Sequence, residues 1–378
     1  MKAQVIRSSR LGNPITAFQI EDIEIPQLKD DEVLVKVKSA GVNYNNVWAA
    51  MGKPIDVIQY RISRGSEDDF HIGGSDASGI VVQLGSRVTN VRINDEVVLH
   101  AGFWDKNDPW ILEGNDPILS STTQAWGYET NYGSFAEYCI VKDHQCLPKP
   151  NHLTWDEAAS YMLSGATAYR MLFHFKPNEV KENDIVLIWG GSGGLGAMAI
   201  QLVKLVGGIP IAIVNNEEKK NFCYSLGAVG VINRTKYSHW GLVSKDDSNF
   251  RSEIKRFKEE IFSFTKGKLP KLVMEHPGEA TLPTSVFVCE KGGMVVTCGA
   301  TSGYYGSFDL RYLWINQKKI QGSHFASTEE CFELNQLINE KKIKPIVAKV
   351  YDFLETGKCH EDMMNNAHPP GTMVIKVS

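Results

Sequence analysis

Apolar and polar residues alternate through Val33-Leu34-Val35-Lys36-Val37-Lys38, and the apolar positions are mostly β-branched. Alternation of period two predicts a half-buried strand. Gly79-Ile80-Val81-Val82-Gln83-Leu84-Gly85 predicts a second strand, and Phe135-Ala136-Glu137-Tyr138-Cys139-Ile140-Val141 another. Asn94-Asp95-Glu96-Val97-Val98-Leu99-His100 reads as a turn leading into a buried strand. Short strands punctuated by Gly, Pro and Asn predict a barrel-like β domain over the first 150 or so residues.

The pattern changes near residue 154. Thr154-Trp155-Asp156-Glu157 is a capping box, and the helical run it opens is expected to reach about Phe175. Strands and helices then alternate: strand Ile185–Trp189, helix Gly196–Val206, strand Ile209–Val214, helix Glu217–Leu226, a short strand Val229–Ile232, helix Phe250–Phe264, and strands Leu272–Glu275 and Gly293–Cys298. Such βαβ alternation predicts a parallel sheet covered by helices on both faces, a doubly wound Rossmann fold. The tail returns to a helix, Glu329–Glu340, and a closing strand, Thr372–Val377. The expected fold class is therefore α/β. A β-barrel domain formed by 1–160 and 326–378 accompanies a Rossmann domain over 161–325. At roughly 150 residues per domain, a chain of 378 suits this division.

Composition narrows the function. There are 40 Lys and Arg against 44 Asp and Glu, a net charge of -4, which leaves no basic footprint for nucleic acid or an acidic membrane. Ile185–Val203 runs 19 residues without a charge, long enough to suggest a membrane span, but carries five glycines between Gly190 and Gly196. A strand, a glycine turn and a helix account for it better. No apolar stretch follows the basic residues of the opening MKAQVIRSSRLG, so no secretory signal is expected. Seven cysteines, none in a C-x-x-C pair, predict reduced thiols in a cytoplasmic protein.

The glycine turn carries chemistry. Gly191, Ser192, Gly193, Gly194, Leu195 and Gly196 follow a predicted strand and open a helix, and Gly191, Gly193 and Gly196 fit G-x-G-x-x-G. One glycine permits the tight turn, the next lets backbone approach a pyrophosphate, and the third lets the helix pack on the sheet. The N–H groups of the helix start then face the phosphates. A dinucleotide site is expected. NAD sites usually place an acidic residue at the end of the second strand, but here Asn215 and Asn216 stand there, with Lys219 following. Lys219 could meet a 2′-phosphate, which favours NADP. The alternative has Glu217 on the ribose and the lysines on a solvated helix face.

A β domain, a dinucleotide domain and a returning tail resemble the medium-chain dehydrogenase/reductase superfamily along nearly the whole chain, which implies a GroES-like barrel. Zinc members place a Cys after the early strand and then Gly-His-Glu. Here those stretches read Gly41-Val42-Asn43 and Gly74-Ser75-Asp76, and the first Cys in the chain is Cys139. No zinc site is expected. Reduction of an activated double bond fits better than zinc-assisted alcohol oxidation.

Five strings sharpen the resemblance: Val42-Asn43-Tyr44-Asn45-Asn46-Val47-Trp48-Ala49, Trp126-Gly127-Tyr128-Glu129-Thr130-Asn131-Tyr132-Gly133, Glu275-His276-Pro277-Gly278, Arg311-Tyr312-Leu313-Trp314 and Gly322-Ser323-His324-Phe325-Ala326. Together they look like the crotonyl-CoA carboxylase/reductase family, within the wider enoyl-CoA carboxylases/reductases. The resemblance implies hydride transfer from NADPH to the β-carbon of an enoyl-CoA thioester. The α-carbon of the resulting enolate then attacks CO2, giving an alkylmalonyl-CoA such as ethylmalonyl-CoA. It implies that Asn45 and His324 hold CO2 through N–H donors too weakly acidic to protonate the enolate. Tyr128 contributes a backbone contact and Glu129 an ordered water. The family usually has Phe in place of Tyr128. Lys291 and Arg311 are candidates for the CoA phosphates. A homotetramer, or a homodimer, is also implied. The alternative is a reductase of the same fold, acting on enoyl-CoA or a quinone, that only protonates. A non-catalytic NADPH-binding protein of crystallin type would need none of the five strings.

Overall fold

The strand Glu32–Gly41 organises the first unit. Its inward valines Val33, Val35 and Val37 are fully buried. It pairs antiparallel with Ala77–Leu84 on one side and with Tyr138–Lys142 and Thr372–Lys376 on the other. These belong to a seven-stranded sheet running Cys146–Pro148, Glu96–Leu99, Ala77–Leu84, Glu32–Gly41, Thr372–Lys376, Val347–Asp352, with Tyr138–Lys142 off that path. The returning strand lies parallel to Val347–Asp352. A small sheet of Gln19–Asp22, Lys2–Ile6 and His71–Ile72 completes this unit. Val81, Val97, Leu99, Phe135, Cys139, Met373 and Ile375 join the three valines in its core.

The computed structural model describes residues 1–243 and 248–378. Two compact units are found: Met1–Ala166 with Phe325–Ser378, and Thr167–His324.

The helical run expected from the capping box is two helices, not one. Thr154 caps Trp155–Ala158 as expected, with Glu157 closing the box. The first helix ends where Ser160 Oγ donates to the Glu157 carbonyl at 2.9 Å. A second helix, Met162–Phe173, then starts afresh. Its Leu163 N–H donates to Asp76 Oδ2 at 3.1 Å, so a carboxylate 87 positions away acts as the cap. Local sequence carries no trace of that contact.

In the second unit, six strands pair entirely in parallel, in the order Gly230–Asn233, Ile209–Val214, Ile185–Ile188, Leu272–Glu275, Met294–Thr297, Lys319–Gly322. This is the doubly wound order, with its reversal beside Ile185–Ile188. Ile185, Leu187, Ile211, Ile213, Ile232, Val273 and Val295 fill its core. Helix Ser248–Thr265 buries Phe250, Ile254, Phe257 and Ile261, one stripe at helical spacing. The charge-free stretch resolves into strand Ile185–Ile188, a glycine turn and helix Gly194–Leu205. Among the described residues no helix is long and apolar enough to cross a membrane. The edge strand Lys319–Gly322 lies outside the sequence reading. It has one apolar residue, and its burial is slight.

Candidate active site

The glycine turn is built by close approach. Gly190 adopts φ +62, a conformation that favours glycine. A Cβ there would lie 2.4 Å from His276 Nε2, and one at Gly196 would lie 2.4 Å from the Gly190 carbonyl. Gly193 has no such neighbour: its Cβ would meet only the Gly190 carbonyl at 3.6 Å. It is the N-cap of helix Gly194–Leu205 and has no side-chain cap of its own. Its loop thus keeps room and helix-start N–H groups for an anion.

Behind the turn lies a buried polar relay. Trp189 Nε1 donates to Ser285 Oγ at 2.8 Å, and Ser285 Oγ donates to Glu275 Oε2 at 2.5 Å. Glu275 Oε1 also accepts from Thr281 Oγ1 at 2.6 Å and from the Gly278 N–H at 3.0 Å. Burial pushes the Glu275 carboxyl above its ordinary value, against those donors. His276 Nε2 lies 3.2 Å from the Trp189 carbonyl, which assigns the proton to that nitrogen. Burial holds this histidine down at about 4, so it is neutral. The sequence placed Glu275-His276-Pro277-Gly278 in a strand end and turn; in the structure that turn buttresses the glycine loop.

At the end of strand Ile209–Val214, Glu217 is engaged by other partners. Its carboxylate accepts from Asn233 Nδ2 at 2.9 Å and pairs with Lys220 at 3.0 Å and Lys236 at 3.2 Å. The Asn233 hydrogen bond first, then Lys220, holds it at about 2. A ribose contact by Glu217 would have to displace these groups. Asn216 Oδ1 accepts the Lys219 N–H at 3.0 Å, capping helix Glu218–Ser225. Asn215 is half-buried beside it. Lys219 is 8% exposed and no described carboxylate pairs with it. Burial lowers its pKa. A buried ammonium without a carboxylate partner among the described residues suits a phosphate monoester better than a neutral hydroxyl. The residues therefore fit a 2′-phosphorylated dinucleotide.

Lys291 is exposed in the turn before strand Met294–Thr297. Arg311 is exposed on helix Leu310–Trp314, its guanidinium forked onto Asp309 at 2.6 to 3.1 Å. His324 is exposed, two residues past strand Lys319–Gly322.

In the first unit, helix Tyr44–Met51 presents its opening residues to the loop Gly73–Asp76. Asn45 Nδ2 donates to Ser75 Oγ at 2.8 Å, Asn46 Nδ2 donates to Asn45 Oδ1 at 2.9 Å, and the Gly74 N–H donates to Asn46 Oδ1 at 3.0 Å. Ser75, Asp76 and Asn46 are fully buried, whereas Asn45 is half-buried. Burial drives the Asp76 carboxyl well above the carboxylate range, opposed by the Leu163 N–H, Asn43 and the Met162 N–H. Glu129 Oε2 accepts the Ala125 N–H at 2.7 Å. Tyr128 packs against the cluster of Ala101, Ala125 and Phe325, and its hydroxyl donates to the Lys53 carbonyl at 3.3 Å. Sequence reasoning singled out Asn45 but missed Asn46, Ser75 and Asp76 as its setting. The one available signal was that Asn43, Ser75 and Asp76 stand where zinc members keep metal ligands.

Two family models match the chain: an alcohol dehydrogenase GroES-like domain over residues 29–151 and a zinc-binding dehydrogenase domain over residues 194–340. They define the class, a two-domain medium-chain dehydrogenase/reductase. The second model's zinc finds no fit here. An amide and a hydroxyl are poor zinc donors, and no three His, Cys, Asp or Glu side chains group around a metal position among the described residues. The chain is 44% identical to the crotonyl-CoA carboxylase/reductase of Cereibacter sphaeroides, covering 100% of this chain and 87% of that one. It is 38% identical to the crotonyl-CoA reductase of Streptomyces collinus, covering 95% and 82%. Among solved structures it superposes on the crotonyl-CoA carboxylase/reductase AntE in complex with NADP, with a TM-score of 0.96 at 46% identity, covering 100% and 94%. It also superposes on the 2-octenoyl-CoA carboxylase reductase CinF, in complex with NADP and 2-octenoyl-CoA, at 0.93 and 36%, covering 100% and 87%. The chain belongs to the crotonyl-CoA carboxylase/reductase family.

Proposed function

We propose that this protein is an NADPH-dependent enoyl-CoA carboxylase/reductase that converts a crotonyl-CoA-type thioester and CO2 to an alkylmalonyl-CoA such as ethylmalonyl-CoA. The observation that carries this reading is the Asn45 amide, pinned on Ser75 at the place where zinc relatives keep a metal. There it offers a directed N–H donor in place of a Lewis acid. NADPH, when bound, supplies the hydride for the β-carbon. Gly191, Ser192, Gly193, Gly194, Leu195 and Gly196 would take its pyrophosphate, and Asn215, Asn216 and Lys219 its phosphorylated ribose. Asn45 and His324 would donate to the CO2 oxygens, and Glu129 would order a water. Neither an amide N–H nor an imidazole N–H is a strong acid toward the enolate, so carboxylation competes well with protonation. The Tyr128 hydroxyl, the one added donor, spends its proton on the Lys53 carbonyl. That supports carboxylation over plain reduction. Lys291 and Arg311 would meet CoA phosphates, Arg311 after exchanging Asp309 for the ligand.

The exposed edge strand Lys319–Gly322, with Leu310, Trp314, Ile315 and Ile320 exposed near it in sequence, supports a homo-oligomer, a tetramer or a dimer. Seven free cysteines support a reducing compartment, the cytoplasm.

The test is NADPH consumption with crotonyl-CoA, with and without bicarbonate, with product identified by mass. Ethylmalonyl-CoA should dominate under saturating CO2, and butyryl-CoA as the main product would overturn the proposal. His324→Asn should shift product toward butyryl-CoA.

A further inference from the structure

The asparagine chain in the first unit has a direction, and that direction is fixed at one end. A backbone N–H can only donate, so the Asn46 atom facing the Gly74 N–H must be Oδ1. Its Nδ2 then points at Asn45, and the Asn45 atom receiving it must be Oδ1. That leaves Asn45 Nδ2 turned toward Ser75, whose hydroxyl oxygen can accept it. Two amide orientations, ordinarily ambiguous, follow from a single fixed donor. Ser75 could not set the direction by itself, because a hydroxyl can either donate or accept. Asn46 is fully buried, and a Cβ on Gly73 would lie 2.1 Å from its Oδ1, so the loop is shaped around this side chain. Asn45 Nδ2 carries two hydrogens, and one remains after Ser75 is served.

We propose that Asn46 is a positioning residue for carboxylation: it passes the polarity of the Gly74 N–H to Asn45, so that Asn45 presents N–H rather than C=O to the reacting centre. A flipped Asn45 would turn its carbonyl oxygen toward the oxygens of CO2, where it repels instead of donating. The effect falls on the fate of the enolate and not on hydride delivery. This inference rests on the function proposed for Asn45.

Asn46→Asp tests it with almost no change in volume. The carboxylate still accepts the Gly74 N–H but has nothing to donate to Asn45, so Asn45 turns round. We expect the ratio of ethylmalonyl-CoA to butyryl-CoA to fall about tenfold, equivalent to ~1.4 kcal/mol of partitioning. Crotonyl-CoA-dependent NADPH oxidation should stay within about threefold of the parent. Ser75→Ala removes the acceptor that pins Asn45 but leaves the direction of the amide intact, so it should lower the ratio clearly less than Asn46→Asp does, by about threefold at most. This second variant keeps the inference exposed should Asn46→Asp not fold. If Ser75→Ala abolishes carboxylation, Ser75 sets the orientation and the inference fails. It fails equally if Asn46→Asp lowers both products alike, which is what a merely structural residue does. Butyryl-CoA as the main product of the parent enzyme would instead sink the functional proposal itself.

Discussion

Glu275→Ala should destabilise the second unit out of proportion to the loss of one side chain. Glu275 is 1% exposed and accepts three donors, the N–H of half-buried Gly278 and the hydroxyls of fully buried Thr281 and Ser285. Each buried donor stranded without a partner costs about 1–3 kcal/mol. The Ser285 hydroxyl has little freedom to turn elsewhere, since its oxygen is already taken by Trp189 Nε1. Removing a carboxyl whose ionisation burial disfavours gives some energy back. We expect a net loss of about 3 kcal/mol. At roughly 2–4 °C per kcal/mol for a unit of this size, the Tm should fall by about 6–12 °C. Glu275→Gln keeps one acceptor and should lose about a third as much. The assay is a thermal melt of the full chain, paired with fluorescence titration of NADPH. Because the relay ends on Trp189, directly before the glycine turn, affinity for NADPH should weaken as well. A Tm within 2 °C of the parent for Glu275→Ala would refute the reasoning.

Lys219→Ala should raise the KM for NADPH by about ten- to a hundredfold, the range for a charge-assisted hydrogen bond, and leave NADH nearly unaffected. Steady-state kinetics with both cofactors decides it, and equal losses would point to a folding role. Gly190→Ala places a methyl 2.4 Å from His276 Nε2 at positive φ, so cofactor affinity and Tm should both fall, as titration and melting will show. Acid should destabilise the protein steeply. His100, His276 and His360 are all held at about 4 by burial, so the unfolded chain binds protons that the folded one refuses. Their contribution is complete above about 6.5 and is lost as pH falls from there toward 4. In that window it should amount to about 4 kcal/mol per pH unit for the three together, measurable by urea melts at stepped pH.

Period and punctuation carried most of the fold. Five strands of the parallel sheet were legible because segments such as Ile185–Ile188, Ile209–Val214 and Leu272–Glu275 are short apolar runs between helical patterns. Lys319–Gly322 was not, because an exposed edge strand needs no apolar signature. The break between Ala158 and Met162 was hidden because its cause, Asp76, acts from far along the chain. In the site, Asn45 and the glycine turn were named from strings. What aligns them lies in Asn46, Ser75, Ser285 and Thr281, ordinary small polar residues whose meaning comes only from what they face.

The strand Thr372–Lys376 lies inside the seven-stranded sheet, not at its rim. Its neighbour Glu32–Gly41 leaves the ribosome early and must wait for it. At ~5–20 residues per second, roughly 17–70 s of translation separate the two. The intervening unit, by contrast, draws all six of its strands from one continuous segment and can close during that interval. Synthesis thus imposes an order: the nucleotide fold matures first, while the sheet of the first unit still stops at Glu32–Gly41, without Thr372–Lys376 and Val347–Asp352, and exposes the unpaired backbone of Ser39 to Gly41 to chaperones or to a neighbouring nascent chain.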